Sequence, residues 1–285
     1  LKIGNSPLVP VALLIIAIIS VQVGAGVSKG LFASVGAEGA TVFRFGFSAI
    51  ILGAIFQPWK MKIDKSNWKI LLLYGFSMCG ACLFFYMSLK TLPLGIASAI
   101  EFSGPIAVAV YSSRRLLDFT WIGLAVVGLF LLMPATSLQA PLDVTGVVYA
   151  LIAAVSWGIY ILSGQKAGTE NGPRTTALGV FIAALIVLPV GLIHAGTALF
   201  DLSLLPLGIA TAILTSAVPF TLEMISMQRL SALAFGTLLS LEPAIASLVG
   251  YGFLHEKLTP TQCLAIGLIV AASAGITLTT RKKSS

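Results

Sequence analysis

Apolar runs, each about as long as a bilayer is thick and separated by only a few polar residues, constrain this chain more than any other feature. They cover 8–33, 39–57, 69–88, 92–112, 118–134, 144–164, 175–196, 203–227, 231–254 and 260–280. A helix needs ~20 apolar residues to cross the hydrocarbon core. Backbone in lipid must satisfy its own hydrogen bonds, which a helix does within one segment. Ten runs in 285 residues leave short loops and no room for a soluble domain. Only 9% of the residues are charged, against roughly 25% in soluble domains. The breaks carry turn chemistry at Val35-Gly36, Thr91-Leu92-Pro93, Pro134, Asn171-Gly172-Pro173 and Thr259-Pro260. The first run exceeds a signal-peptide core and no clear cleavage site follows it, so it reads as an uncleaved helix. The expectation is an all-α membrane protein of ten transmembrane helices.

The net charge of +7 is explained by where the cations lie, with no need for a nucleic-acid partner. With the N-terminus placed in the cytoplasm, thirteen Lys and Arg residues fall in inside segments. The outside loops hold two, Lys90 and Lys257. Excess Lys and Arg marks the cytoplasmic side, so both termini are expected there, which requires an even helix count.

An internal repeat supports the same count. Gly24 to Gly30 matches Gly158 to Gly164, and Leu92 through Pro105 to Ala109 matches Leu230 through Pro243 to Ser247. The offset predicts two halves, 1–135 and 144–281, joined by a linker at 135–143. Five helices is an odd number, so the second half enters from the opposite side. Inverted repeats are a recurring carrier design with the substrate site between the halves near the midplane.

Ionisable groups inside a membrane each cost ~3 kcal/mol or more at its centre and are candidates for function. Five stand out: Lys29, Arg44, Glu101, Glu223 and Glu242. Glu101 and Glu242 sit near the middles of repeat-related helices, close before Pro105 and next to Pro243. Proline frees a backbone carbonyl and can kink a helix, and a kink beside a carboxylate is a place to hold a cation or an ammonium. Pro219 is a third candidate kink. Ser98 and Ser103 add hydrogen-bonding groups around Glu101. Tyr86, Trp157 and Tyr160 are interior residues that could line a cavity. Glu223 reads as shallow, about a turn from Arg229, and is expected as a gating or structural ion pair with it. Lys29 can snorkel toward water and reads as a gate or structural cation. Arg44 could meet a buried Glu or a substrate carboxylate. A carboxylate exchanging protons in the membrane would couple transport to a proton gradient.

Other classes fit less well. Cys79 and Cys82 form a C-x-x-C spacing within an apolar run and read as small buried hydrophobes. Neither an intramembrane catalytic pair nor a clustered ligand set for a metal is evident, so no enzyme, cofactor or metal is expected. A channel would need a filter loop, and none is seen.

Several segments resemble a known family. They are Pro93-Leu94-Gly95-Ile96-Ala97, Glu101-Phe102-Ser103-Gly104-Pro105, Ser112-Ser113-Arg114-Arg115 with Asp118-Phe119, and Trp157 to Gln165. Leu222-Glu223-Met224, Phe235-Gly236-Thr237-Leu238 and Leu241-Glu242-Pro243-Ala244 complete the set. Together they resemble the ten-helix, EamA-type branch of the drug/metabolite transporter superfamily across essentially the whole chain. The resemblance implies an exporter in the bacterial inner membrane, built as an inverted five-plus-five fold with a central cavity; a monomer or weak homodimer is expected. Its expected substrates are small neutral amino acids such as threonine and homoserine, exchanged for protons. Relatives within the superfamily handle aromatic amino acids, cysteine derivatives, purines or drugs, so those stand as alternative substrates.

Overall fold

The computed structural model describes residues 8–61, 67–92, 94–132, 143–254 and 259–281, and among these no strand occurs. The helices are α1 Val9–Phe56, α2 Trp68–Ser88, α3 Leu94–Ser112, α4 Leu116–Leu132, α5 Val144–Asn171, α6 Pro173–Ala195, α7 Leu205–Ala212, α8 Val218–Met227, α9 Ala232–Leu239, α10 Leu241–Leu254 and α11 Pro260–Arg281. Seven described segments are long and apolar enough to cross a membrane, and Ile96–Ser112, Leu116–Leu132 and Ala232–Leu248 are shorter apolar helices. Large apolar side chains face outward, Leu116, Ile193 and Phe130 among them. A surface of that kind requires lipid as its solvent. This is a multi-pass membrane protein.

α1 contains two crossings. Its 48 residues would span about 72 Å as one helix, more than twice the hydrocarbon core. The chain reverses at Gly36, whose φ of 69° lies in the region that glycine tolerates. Contacts with the 205–227 segment prove the reversal. Before Gly36, Pro10 accepts from Ser226, Gly24 packs on Thr215 and Gly30 on Leu207. After it, Phe43 packs on Gly208 and Ser48 donates to the Ala212 carbonyl. The first half therefore runs antiparallel to that segment and the second half parallel to it. The break expected at Val35-Gly36 is this turn.

Elsewhere the chain departs from the apolar runs in instructive ways. α5 continues two turns beyond the expected end at 164, because Gln165, Lys166 and Thr169 leave the lipid without leaving the helix. The 203–227 run is interrupted by a π-helical turn at Ile213–Ala217, just before Pro219. The 231–254 run breaks at Ser240, which places Pro243 in the first turn of α10. Pro105, the candidate kink of the first half, lies inside α3, which continues on both sides of it. The predicted linker is described only at Asp143, which caps α5 by accepting from the Gly146 N–H at 3.0 Å. Its remaining residues, and the side chain of Lys29, lie outside the described residues.

The largest buried cluster joins both halves of α1 to α2, α5, α6, α8 and α9. Leu14, Phe45, Tyr74, Met78, Ile161, Met224, Phe235 and Leu238 are almost fully enclosed in it. At the α3–α5 crossing, a Cβ on Gly104 would lie 2.0 Å from the Ala154 carbonyl oxygen. Small residues let two membrane helices approach this closely.

Candidate functional site

A cavity of about 650 Å³ lies among α1, α2, α3, α4, α5, α8 and α10. Its walls come from the middles of these helices and from their halves toward the Gly36 end: Ile18 to Ala25 of α1, Met78 to Tyr86 of α2, Ser98 to Phe102 of α3, and Glu242 to Ser247 of α10. Toward the opposite end, the Val9 end, Tyr74, Ile161, Met224 and Met227 are packed with at most 2% of their surface exposed. The cavity thus sits over a packed floor and leads toward one face of the molecule.

Arg44 holds one wall. Its Nε donates to Ser216 Oγ at 2.5 Å, Nη1 to the Tyr86 hydroxyl at 3.1 Å and Nη2 to the Thr215 carbonyl at 2.6 Å. The guanidinium also lies over the rings of Phe220 and Phe45, at 5.4 and 5.8 Å from their centroids. The Thr215 carbonyl is available because Pro219, four residues on, has no N–H to give it. Ser20 donates to the neighbouring Leu214 carbonyl at 2.7 Å. The π-helical turn is thus bonded by side chains from both halves of α1. Among the described residues, three of the five guanidinium N–H groups are engaged.

Three carboxylates share the cavity with that single guanidinium: Glu101, Glu223 and Glu242. Glu101 shares this lining with Glu242 and Arg44, and the charges of both act on it. Glu223 accepts from the Tyr160 hydroxyl at 2.8 Å, and the Tyr160 ring stacks on Tyr74 with centroids 5.2 Å apart. Gln22 donates to Glu242 at 3.4 Å. Trp157 packs on Phe102, centroids 5.1 Å apart, and both line the site.

Of the residues singled out in the sequence, Glu101, Glu242, Arg44, Ser98, Tyr86, Trp157, Tyr160 and Pro243 converge on this cavity. Ser103 does not. It is exposed on the outer surface of α3, with its hydroxyl donating to the Ile100 carbonyl. Two residues along a helix turn a side chain to the opposite face, so its nearness to Glu101 in sequence misleads. Glu223 also departs from expectation. It is buried in the cavity wall beside Tyr160, whereas Arg229 lies past the end of α8 and does not line the cavity. Helical side chains point toward the helix N-terminus, which carries the Glu223 carboxylate deeper than its Cα.

Glu38 escaped the sequence reading because it falls in the break between two apolar runs. It is buried, pairs with Lys90 and lies 3.9 Å from His194. The three groups clip the Gly36 turn to the ends of α2 and α6. Its signal was an acid at a break on the same expected side of the membrane as Lys90. Among the described residues, no three His, Cys, Asp or Glu side chains converge as metal ligands.

Known proteins agree with this architecture. The sequence profile of the EamA-like transporter family matches residues 144–278. The threonine/homoserine exporter RhtA of Escherichia coli (strain K12) is 51% identical over 96% of this chain and 93% of its own length. That of Salmonella typhimurium (strain LT2) is 49% identical over the same shares. An uncharacterized transporter of Bacillus subtilis, YwfM, is 27% identical over 90% of this chain and 91% of its own. One crystal structure shares the fold with a TM-score of 0.79 across 97% of this chain and 99% of its own, at 18% identity. The chain belongs to the EamA-like transporter family of the drug/metabolite transporter superfamily.

Proposed function

We propose that this protein exports small neutral amino acids, threonine and homoserine among them, across the bacterial inner membrane in exchange for protons. The observation that carries the reading is the opposition of Arg44 to three carboxylates in one cavity. A zwitterion needs a donor pair for its carboxylate and an acceptor for its ammonium. The guanidinium of Arg44 supplies the first in the bidentate form that suits a carboxylate. Glu101 and Glu242 supply the second. Ser98 and the Gln22 amide, both in the wall, would meet a side-chain hydroxyl. Similarity to exporters named for threonine and homoserine supports the same substrates.

In this reading the chain crosses the membrane ten times, as inverted halves at 1–135 and 144–281 with both termini in the cytoplasm. The cavity then faces the periplasm, and the Tyr74–Met224–Met227 layer is the closed cytoplasmic gate. Three carboxylates against one guanidinium leave a deficit of positive charge. Protons fill it when the ammonium leaves, and their return with the next cycle is the coupling. Glu223, which accepts from Tyr160, is the third proton acceptor.

The experiment is efflux of labelled threonine from proteoliposomes holding the full chain, with and without an imposed pH gradient. Acceleration by the gradient in wild type, abolished in Glu101→Gln, is expected. Indifference to the gradient would remove proton coupling, and unchanged efflux by Glu101→Gln would remove the ammonium site. Phe85, Phe102, Trp157 and Phe220 also line the cavity, which favours a second reading in which aromatic amino acids are carried. Competition of labelled threonine by phenylalanine distinguishes the two.

A further inference from the structure

A second concavity, of about 570 Å³, opens on the outer surface where the end of α1 meets α6. Ile50 and Gly53 of α1, Trp59 and Met61 of the turn after it, and Leu178 and Phe181 of α6 form its walls. It offers no charged side chain and lies away from the transport cavity. Ile50 and Trp59 are each about two-thirds exposed, at 68% and 69%. The apolar walls run from Ile50 and Phe181, within the spans, to Trp59 and Met61 just past the end of α1.

Cations stand at the rim end and nowhere along the walls. Lys60 lies between Trp59 and Met61 in the short turn Pro58–Lys60. Arg174 is four residues before Leu178, so it sits one turn above that wall residue on the same face of α6. Both are exposed, and among the described residues neither forms an ion pair. A Trp at the rim is the usual anchor at the level of lipid headgroups. Apolar depth, an indole at the interface and two cations above it match one kind of molecule, with an acyl tail below and an anion on top.

We infer that this groove is a binding site for an anionic phospholipid, with one acyl chain between α1 and α6 and the phosphate held by Lys60 and Arg174. The inference needs only that the chain lies in a membrane, and it stands whether or not the transported solute is an amino acid. Positive charge near a membrane surface attracts anionic lipid, and the groove converts that general attraction into a site.

The test is native mass spectrometry of the full-length protein in neutral detergent, titrated with phosphatidylglycerol or with phosphatidylcholine. Phosphatidylglycerol is expected to bind at least fivefold more tightly. The pair Lys60→Gln/Arg174→Gln, both exposed and outside the packing, should erase that preference. Gly53→Leu, whose side chain would enter the groove beside Trp59, should weaken both lipids. The control pair Arg114→Gln/Arg115→Gln removes equal charge from another exposed turn and should change neither. Equal binding of the two lipids would overturn the proposal. So would equal effects of the two charge pairs, or a Gly53→Leu protein that binds as wild type does. A dimer that Gly53→Leu dissolves would assign the groove to a second copy of the chain and overturn it as well.

Discussion

Arg44 donates to the Thr215 carbonyl at 2.6 Å, a carbonyl to which Pro219 can offer no N–H. The proline opens the helix, and the guanidinium both repairs the opening and is oriented by it. Ser216 and Tyr86 complete the fixation. An ammonium cannot reproduce this planar fork. Arg44→Lys is therefore expected to fold, because the positive charge stays in the cavity, yet to lose threonine efflux at least tenfold. Arg44→Gln should in addition leave a buried carbonyl poorly satisfied, at a cost of about 1–3 kcal/mol. Efflux assays paired with thermal unfolding in detergent separate the two effects. Wild-type efflux in Arg44→Lys would leave the guanidinium a structural part only.

The Tyr160–Glu223 bond at 2.8 Å ties α5 to α8 at the floor of the cavity. Hydrogen bonds to charged groups contribute about 1.5–3 kcal/mol. Tyr160→Phe and Glu223→Gln should each reduce proton-driven efflux. Their effects should also fail to add, with a coupling of at least about 1 kcal/mol in a double-mutant cycle. Tyr160→Phe is further expected to displace the pH profile of efflux, because the proton acceptor loses its donor. Additive losses with an unmoved pH profile would mean that the pair carries no proton.

At the α3–α5 crossing the obstruction is backbone. A Cβ at Gly104 would meet the Ala154 carbonyl oxygen at 2.0 Å, and no rotamer change can remove a carbonyl. Gly104→Ala is expected to cost about 3 kcal/mol or more, at or above the top of the usual range for overpacking, or to prevent folding. Ala154→Gly should not rescue it, since the clash is not with a side chain. Monodispersity and melting temperature in detergent report both outcomes.

The apolar runs located helices well because lipid makes hydropathy decisive, as at α2 and α11, whose ends lie within a residue or so of expectation. Hydropathy is blind to hydrogen-bond pairing, which is why the π-helical turn before Pro219 and the break at Ser240 were not legible. It also ended α5 early, at the edge of the lipid. For the candidate site, residue type and depth picked out Glu101, Glu242 and Arg44, which the fold brings to one cavity, whereas helical geometry decides the placement of Ser103 and Glu223. Ser98, three residues before Glu101, shares its face; Ser103, two after it, does not. Glu38 needed the fold itself, because only the reversal at Gly36 carries it to Lys90 and His194.

The clip at Glu38 yields an asymmetric expectation. Glu38 is buried, with a side chain only 6% exposed, while Lys90 and His194 are about half exposed. Removing Glu38 leaves two cations that water can solvate. Removing Lys90 leaves a buried carboxylate with only a histidine 3.9 Å away. Breaking a fully buried pair costs about 3–5 kcal/mol, and exposed pairs are worth about 1 kcal/mol or less, so this half-exposed one falls between. Lys90→Gln is expected to destabilise the protein by about 2 kcal/mol and Glu38→Gln by about 1 kcal/mol or less. The glutamine in the second variant still fills the space and can accept from Lys90. Thermal unfolding of both variants in one detergent checks the order. Equal losses would mean that attraction between the partners, rather than the cost of an unpaired buried carboxylate, holds the Gly36 turn against α2 and α6.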